Sequence, residues 1–116
     1  MEQVKIIRSL IKDWVEKYTK DSDIAMLEKK LLEDDQTGME VSIARYPAGY
    51  RTVSHKHSIG HGMYVLNGKL WTSEGILEKS DFIWFPAGVK MEHGATDDED
   101  CTVLFVTNGA FDIEYL

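Results

Sequence analysis

One cysteine in 116 residues, Cys101, cannot close an intramolecular disulfide, so no covalent staple is available to this fold. A basic patch is missing too. Thirteen Lys and Arg stand against 20 Asp and Glu for a net charge of -7, and the acids gather in Glu33-Asp34-Asp35 and Asp97-Asp98-Glu99-Asp100. A phosphate backbone would be repelled by such a chain, which excludes nucleic acid as the expected partner. The N-terminus has no hydrophobic leader with a cleavage site, and no apolar run is long enough to cross a bilayer. No membrane partner is therefore expected, and the cytoplasm is the expected location. Repeats, linkers and low-complexity tracts are likewise lacking.

What remains is a chain of one-domain length, able to bury a core without staples. With 43% hydrophobic and 28% charged residues it is too apolar to stay disordered. From Val4 to Tyr18 the apolar residues Val4, Ile7, Leu10, Ile11, Trp14, Val15 and Tyr18 recur at steps of three and four. That period predicts an amphipathic helix packing on the rest of the molecule or on a second copy, which makes residues 1-23 a helical extension. Residues 24-116 read differently, as short β runs broken by turn residues about every ten positions.

The predicted strands are Ile24 to Leu32, Met39 to Tyr46, Arg51 to His57, Gly62 to Leu66, Lys69 to Thr72, Ile76 to Glu78, Phe82 to Phe85, Thr102 to Thr107 and Phe111 to Tyr115. Asn67-Gly68 has the composition of a two-residue hairpin turn, which would pair Leu66 with Lys69. The run Thr102 to Val106 is apolar on both faces, as in a strand covered by the opposite sheet on one side and by a helix or a second subunit on the other.

Histidine is scarce and unevenly spread. Three of the four fall in GYRTVSHKHSIGHGMYVLNG, residues 49-68, and the fourth is His93 in PAGVKMEHGAT. His55 and His57 are two apart on a predicted strand, so their side chains leave one face together while Lys56 leaves the other. His61 shares their parity, although Ser58-Ile59-Gly60 interrupts the strand between. Imidazoles grouped in two segments that can meet across a sheet point to a metal site. Nitrogen donors of this kind suit Zn, Cu, Fe and Ni.

The order Gly49, five residues, His55-x-His57, three residues, His61, six residues, Gly68 resembles the first motif of the cupin superfamily, in which the position of His61 is usually glutamate. The second motif resembles Ser80, five residues, Pro86-Ala87-Gly88, with Ser80 in a glycine position and Met91 where a histidine is expected. His93 arrives two residues later, a shift that keeps a side chain on the same face of a strand. Glu92 would face the other way unless a bulge turned it inward as a competing ligand.

GMYVLNGKLW and HGATDDEDCTVLFV carry a further likeness to small single-domain, RmlC-like cupins grouped with the metal-binding domain of anti-sigma factors and with acetylacetone dioxygenase. The resemblance implies an all-β fold, a double-stranded β-helix or jelly roll, with a metal in the mouth of the barrel and pairing as a homodimer. It implies His55, His57, His61 and His93 as metal ligands, three or all four of them together. The ion would be a divalent transition metal: Fe, Zn, Mn, Ni and Cu are not separated by the sequence.

Three or four neutral ligands leave the ion at +2, which favours an anionic small molecule such as an enolate, a carboxylate or hydroxide. Two functions follow. One is a dioxygenase-type enzyme acting on an enolisable diketone or related oxygenated acid, a reaction class that the resemblance supplies. The other is a non-catalytic, metal-bound ligand-binding or sensor cupin.

Strand parity offers pocket candidates: Met63 and Val65 share a face with His61, while Tyr46, Trp84 and Phe105 lie on strands that line or close a barrel. Each also reads as plain core. Tyr64 and Arg51 are the polar candidates. Cys101, with acidic neighbours in sequence, reads as a small buried hydrophobe and not as a reactive thiol.

Overall fold

The computed structural model describes residues 3-116. Its strands are β1 Val15–Lys17, β2 Met26–Glu33, β3 Glu40–Tyr46, β4 His55–Lys56, β5 His61–Asn67, β6 Leu70–Thr72, β7 Gly75–Leu77, β8 Phe82–Phe85, β9 His93–Ala95, β10 Cys101–Thr107 and β11 Glu114–Tyr115. Six of them form one antiparallel sheet in the order β1-β2-β3-β10-β5-β8. The others form a three-stranded sheet, β7-β6-β9, and a pair, β11-β4.

Two isolated bridges, Arg51 with Gly94 and His55 with Met91, join the pair to the three-stranded sheet. The second layer then runs β7-β6-β9-β4-β11 and faces the six-stranded sheet, giving the two-layered all-β jelly roll. No helix among the described residues is long and apolar enough to cross a membrane.

Alternation builds the inner face. Ser42, Ala44 and Tyr46 of β3 are buried while the residues between them are not, and β5 contributes His61, Met63 and Val65, with Tyr64 turned outward and Gly62 covered from the other side by Phe82 and Trp84. β10 adds Cys101 and Val103, and Phe105 stands opposite Met63 and Ser42 in the register. Leu70, Met91 and Ala95 close the core from the second layer. Burial pushes the Cys101 thiol up to about 12, as expected of a small apolar filler.

Three local expectations are corrected. Between Val4 and Tyr18 there is no long helix, only a 3-10 turn at Ser9–Ile11 followed by β1. Helices of this length take most of their stability from burying an apolar face, and here Val4 and Leu10 are 94% and 95% exposed. The segment is instead held by Lys29, whose Nζ donates to the Ser9 carbonyl at 2.8 Å and lies 4.6 Å from the centre of the Trp14 ring. Val15, Glu16 and Lys17 then add an edge strand to β2.

Asn67-Gly68 is not a hairpin turn, and Leu66 does not pair with Lys69: β5 and β6 belong to different sheets. The glycine serves a crossing between layers. Its φ is +75°, and a Cβ would sit 2.0 Å from the Asp100 carbonyl oxygen. The span predicted as one strand from Arg51 to His57 is a strand only at His55–Lys56, preceded by a single bridge from Arg51 to Gly94; between them Thr52 donates its amide to the His93 carbonyl at 2.9 Å and accepts the His93 amide on its hydroxyl at 3.1 Å. The expectation for β10 is not among these: its outer face is half-exposed at Leu104 and Val106 within one chain, as a face left for a second subunit would be.

Gly94 is the tightest point between β9 and the chain before β4. A Cβ there would lie 1.9 Å from the Tyr50 carbonyl oxygen. Gly94→Ala therefore forces the two segments apart beside His93, and chemical denaturation should show a loss of about 2 kcal/mol or more. An unchanged midpoint would mean that the two segments part without cost.

Candidate metal centre

The four histidines come from three separate stretches of backbone and meet between the layers. β4 supplies His55, the chain just after it His57, the start of β5 His61 and the start of β9 His93. All four are buried, none more than 6% exposed. Ring centres lie 5.0 Å apart for His55 and His57, 4.8 Å for His57 and His61, 5.0 Å for His55 and His93 and 6.3 Å for His61 and His93.

Two of the rings are fixed from outside. His55 Nδ1 donates to the Val53 carbonyl at 2.9 Å, and His57 Nδ1 donates to the Asp112 carbonyl. A carbonyl can only accept, so each Nδ1 carries a proton and Nε2 is the nitrogen left to face an ion. This is the outer support that orients histidines bound to metals. His61 and His93 differ, since the Nδ1 of each is buried without a hydrogen-bond partner. His61 Nε2 sits 3.0 Å from Met91 Sδ.

Charge is unwelcome here. Burial, reinforced by the neighbouring imidazoles, lowers His61 to about 3 and holds His93 well below its ordinary value. His55 is also lowered, chiefly by burial. A neutral imidazole is the metal-binding form, so a cation would meet lone pairs and no competing protons. Buried unpartnered nitrogens, neutral rings and a purely imidazole donor set all fit a divalent transition metal. The donors are gathered but not drawn into a closed shell: among the described residues no group of three or more His, Cys, Asp or Glu stands ready to hold an ion as placed.

Glu92 lies between Met91 and His93, half-exposed where both neighbours are buried, and its amide pairs with Ser73 Oγ. Strand alternation turns it away from the histidines. His55, His57 and His93 open onto a cavity of about 320 Å³ that Tyr46 and Phe105 also line. Met63 and Val65 are fully buried in the core behind it. Trp84 is 43% exposed and packs over Gly60 and Gly62 on the outside of the sheet. The register explains this: Trp84 is opposite Gly62, whereas Phe85 is opposite His61 and therefore points inward, 5.3 Å from that ring.

Tyr64 is exposed on the outer face, and Arg51 lies over the Trp71 ring at 4.0 Å. Sequence reasoning missed the far wall of the cavity. Phe111, Ile113 and Tyr115 form it, on a C-terminal strap whose β11 pairs with β4 and whose Asp112 carbonyl holds His57. Only the apolar alternation of FDIEY pointed to them. Across the cavity, Tyr46 stacks on Tyr50 at 5.2 Å, and Tyr50 bonds Thr19 at 2.8 Å.

With this geometry in place, comparison identifies the family. Residues 9–112 match the model of the ChrR cupin-like domain, and the chain belongs to that family. Comparison with curated proteins returns no match. Among solved structures, the fold resembles a cupin-like protein from Thermotoga maritima, with 26% identity, a TM-score of 0.76 and coverage of 91% of this chain and 87% of that one.

A proposed acetylacetone dioxygenase from Methylibium petroleiphilum has a TM-score of 0.76 at 16% identity, covering 100% and 85% of the two chains. The polyketide cyclase RemF from Streptomyces resistomycificus has a TM-score of 0.79 at 16% identity, covering 98% and 86%. These last two likenesses are of fold.

Burial of neutral His61 and His93 sets a pH dependence for the metal-free protein. Their folded pKa values lie below the ordinary 6.5, so the unfolded chain binds more protons as pH falls. Stability is full above 6.5 and is lost as pH drops toward about 3. Thermal melts should move steadily down over that range, and a flat profile would mean that the imidazoles are solvated.

Proposed function

We propose that this chain is a metal-dependent cupin that binds a small, oxygenated organic anion at the histidine centre, with dioxygenase-type cleavage of an enolisable diketone or related acid as its chemistry. The observation that carries this reading is the meeting of four buried imidazoles at one end of a mostly apolar cavity. His55 and His57, with their Nδ1 protons committed to main-chain carbonyls, would offer Nε2 to the ion, and His61 and His93 would complete the set. Bound there, a divalent ion would supply Lewis acidity and, if it is iron, a route to oxygen.

The chain's own residues do the selecting. No carboxylate among the four histidines offsets the charge of the ion, so an anionic chelating end is favoured over a neutral one. Phe105, Phe111, Ile113 and Met26 line the space beyond the histidines, which suits a flat, mostly apolar body. The strap from Phe111 to Tyr115 shields the centre from water while its Asp112 carbonyl keeps His57 oriented. The proposed activity of the Methylibium petroleiphilum relative lends this substrate class support at the level of fold.

A specific observation favours the second reading, a ligand sensor without turnover. The two carboxylates on the cavity wall are each engaged by a lysine, Glu28 with Lys17 at 2.9 Å and Glu40 with Lys30 at 3.2 Å. Neither is a free general acid or base.

Metal analysis of protein purified without chelators should give about one ion per chain, and His57→Ala should lower that occupancy by about tenfold or more. With Fe(II) loaded, β-diketones should stimulate oxygen uptake in the native protein and not in the variant. Metal near zero in the native protein removes both readings. Bound metal with no oxygen uptake across a panel of diketones and oxygenated acids leaves the sensor.

A further inference from the structure

The second motif places a methionine where a histidine is expected, and the structure shows where that side chain goes. Met91 is 1% exposed and forms a bridge with His55, each amide donating to the other's carbonyl, at 3.0 and 2.8 Å. Directly opposed residues of an antiparallel pair send their side chains to the same face. Met91 is thereby aimed at the histidine group from the side of His55, and its Sδ lies 3.0 Å from His61 Nε2.

Two arrangements fit that contact. His61 can donate Nε2–H to the sulfur, which leaves a bare lone pair on a buried Nδ1 that has no partner. Alternatively Nε2 is the bare nitrogen, and lone pairs of nitrogen and sulfur face each other at 3.0 Å in an apolar site. A cation shared by the two atoms relieves the second arrangement. Held tetrahedrally by bonds of about 2.0 and 2.3 Å, two donors stand about 3.5 Å apart, so Nε2 and Sδ, now 3.0 Å apart, need part by only about half an ångström to share an ion.

We propose that Met91 contributes a thioether donor through Sδ, adjacent to His61 Nε2, and that this soft ligand makes the centre selective for copper, held most tightly as Cu(I). The inference rests on the reading of the histidines as a metal centre and adds to it the class of ion. Thioether sulfur is a soft ligand that favours Cu(I), whereas hard ions such as Mn(II) prefer oxygen donors. His93, two residues on and 5.0 Å from the His55 ring, completes the set from the cavity side.

The test compares Cu(I) and Zn(II) affinities of the whole protein, by competition with chromogenic chelators under anaerobic conditions, in the native chain and in Met91→Leu. X-ray absorption at the copper edge reads the ligands directly. A sulfur shell in the native protein, lost in Met91→Leu together with about tenfold or more of Cu(I) affinity while Zn(II) affinity changes by about twofold or less, is the expected result.

A nitrogen-only shell overturns the proposal, as does equal Cu(I) affinity in the two proteins. The imidazole centre would then stand, with the sulfur as a simple acceptor from His61. Failure of the native protein to bind either ion overturns this proposal and the reading beneath it together. If Met91→Leu does not fold, the shell seen in the native protein decides alone.

Discussion

The antiparallel contact between the chain around residues 50–57 and the chain around residues 88–95 is the constraint on which the rest of this structure depends. Tyr50 accepts from Ala95, Thr52 donates to the His93 carbonyl, His55 exchanges both of its hydrogen bonds with Met91, and Gly88 donates to the His57 carbonyl, all between 2.8 and 3.0 Å. Without it β4 and β9 would belong to unconnected fragments. With it the second layer is continuous, and the two segments that hold histidines are registered against each other by main-chain bonds and not by the histidines themselves.

That division has an energetic consequence. The backbone ladder stabilises the fold, while the imidazoles it brings together are a cost in the metal-free state, since two buried Nδ1 atoms find no partner. A site that is locally poor and held in place by its surroundings is what binding a cation requires. The polar groups at its edge divide the labour: Val53 and Asp112 carbonyls fix two rings, and the strap carrying Asp112 also closes the cavity. Ligand access and His57 orientation are therefore linked through one short segment.

The cavity wall is mostly apolar and its two carboxylates are ion-paired, so a ligand bound as proposed would be recognised by the histidine end and by shape. Tyr46 and Tyr50, stacked and far from solvent, stiffen one wall. Burial keeps Tyr46 protonated well beyond the usual phenol range, so it stands as a neutral hydroxyl beside Met63 and not as a base.

Local pattern alone determined most of the β segments, though neither β1 nor β9, together with the face shared by His55 and His57 and the pairing of histidine with short β runs that marks a cupin. It did so because alternation and turn chemistry are properties of neighbours in the chain. It misread Val4 to Tyr18, where the helical period is present but the same chain leaves Val4, Leu10 and Ile11 exposed. It misjudged Asn67-Gly68 as well, whose positive φ serves a change of sheet and not a hairpin.

Only tertiary structure decided that Phe85 and not Trp84 faces His61, because register between β5 and β8 is set by the whole sheet. It alone set Met91 against His61 and brought the C-terminal strap over the cavity, contacts that span 30 and more residues of chain and leave no trace in local periodicity.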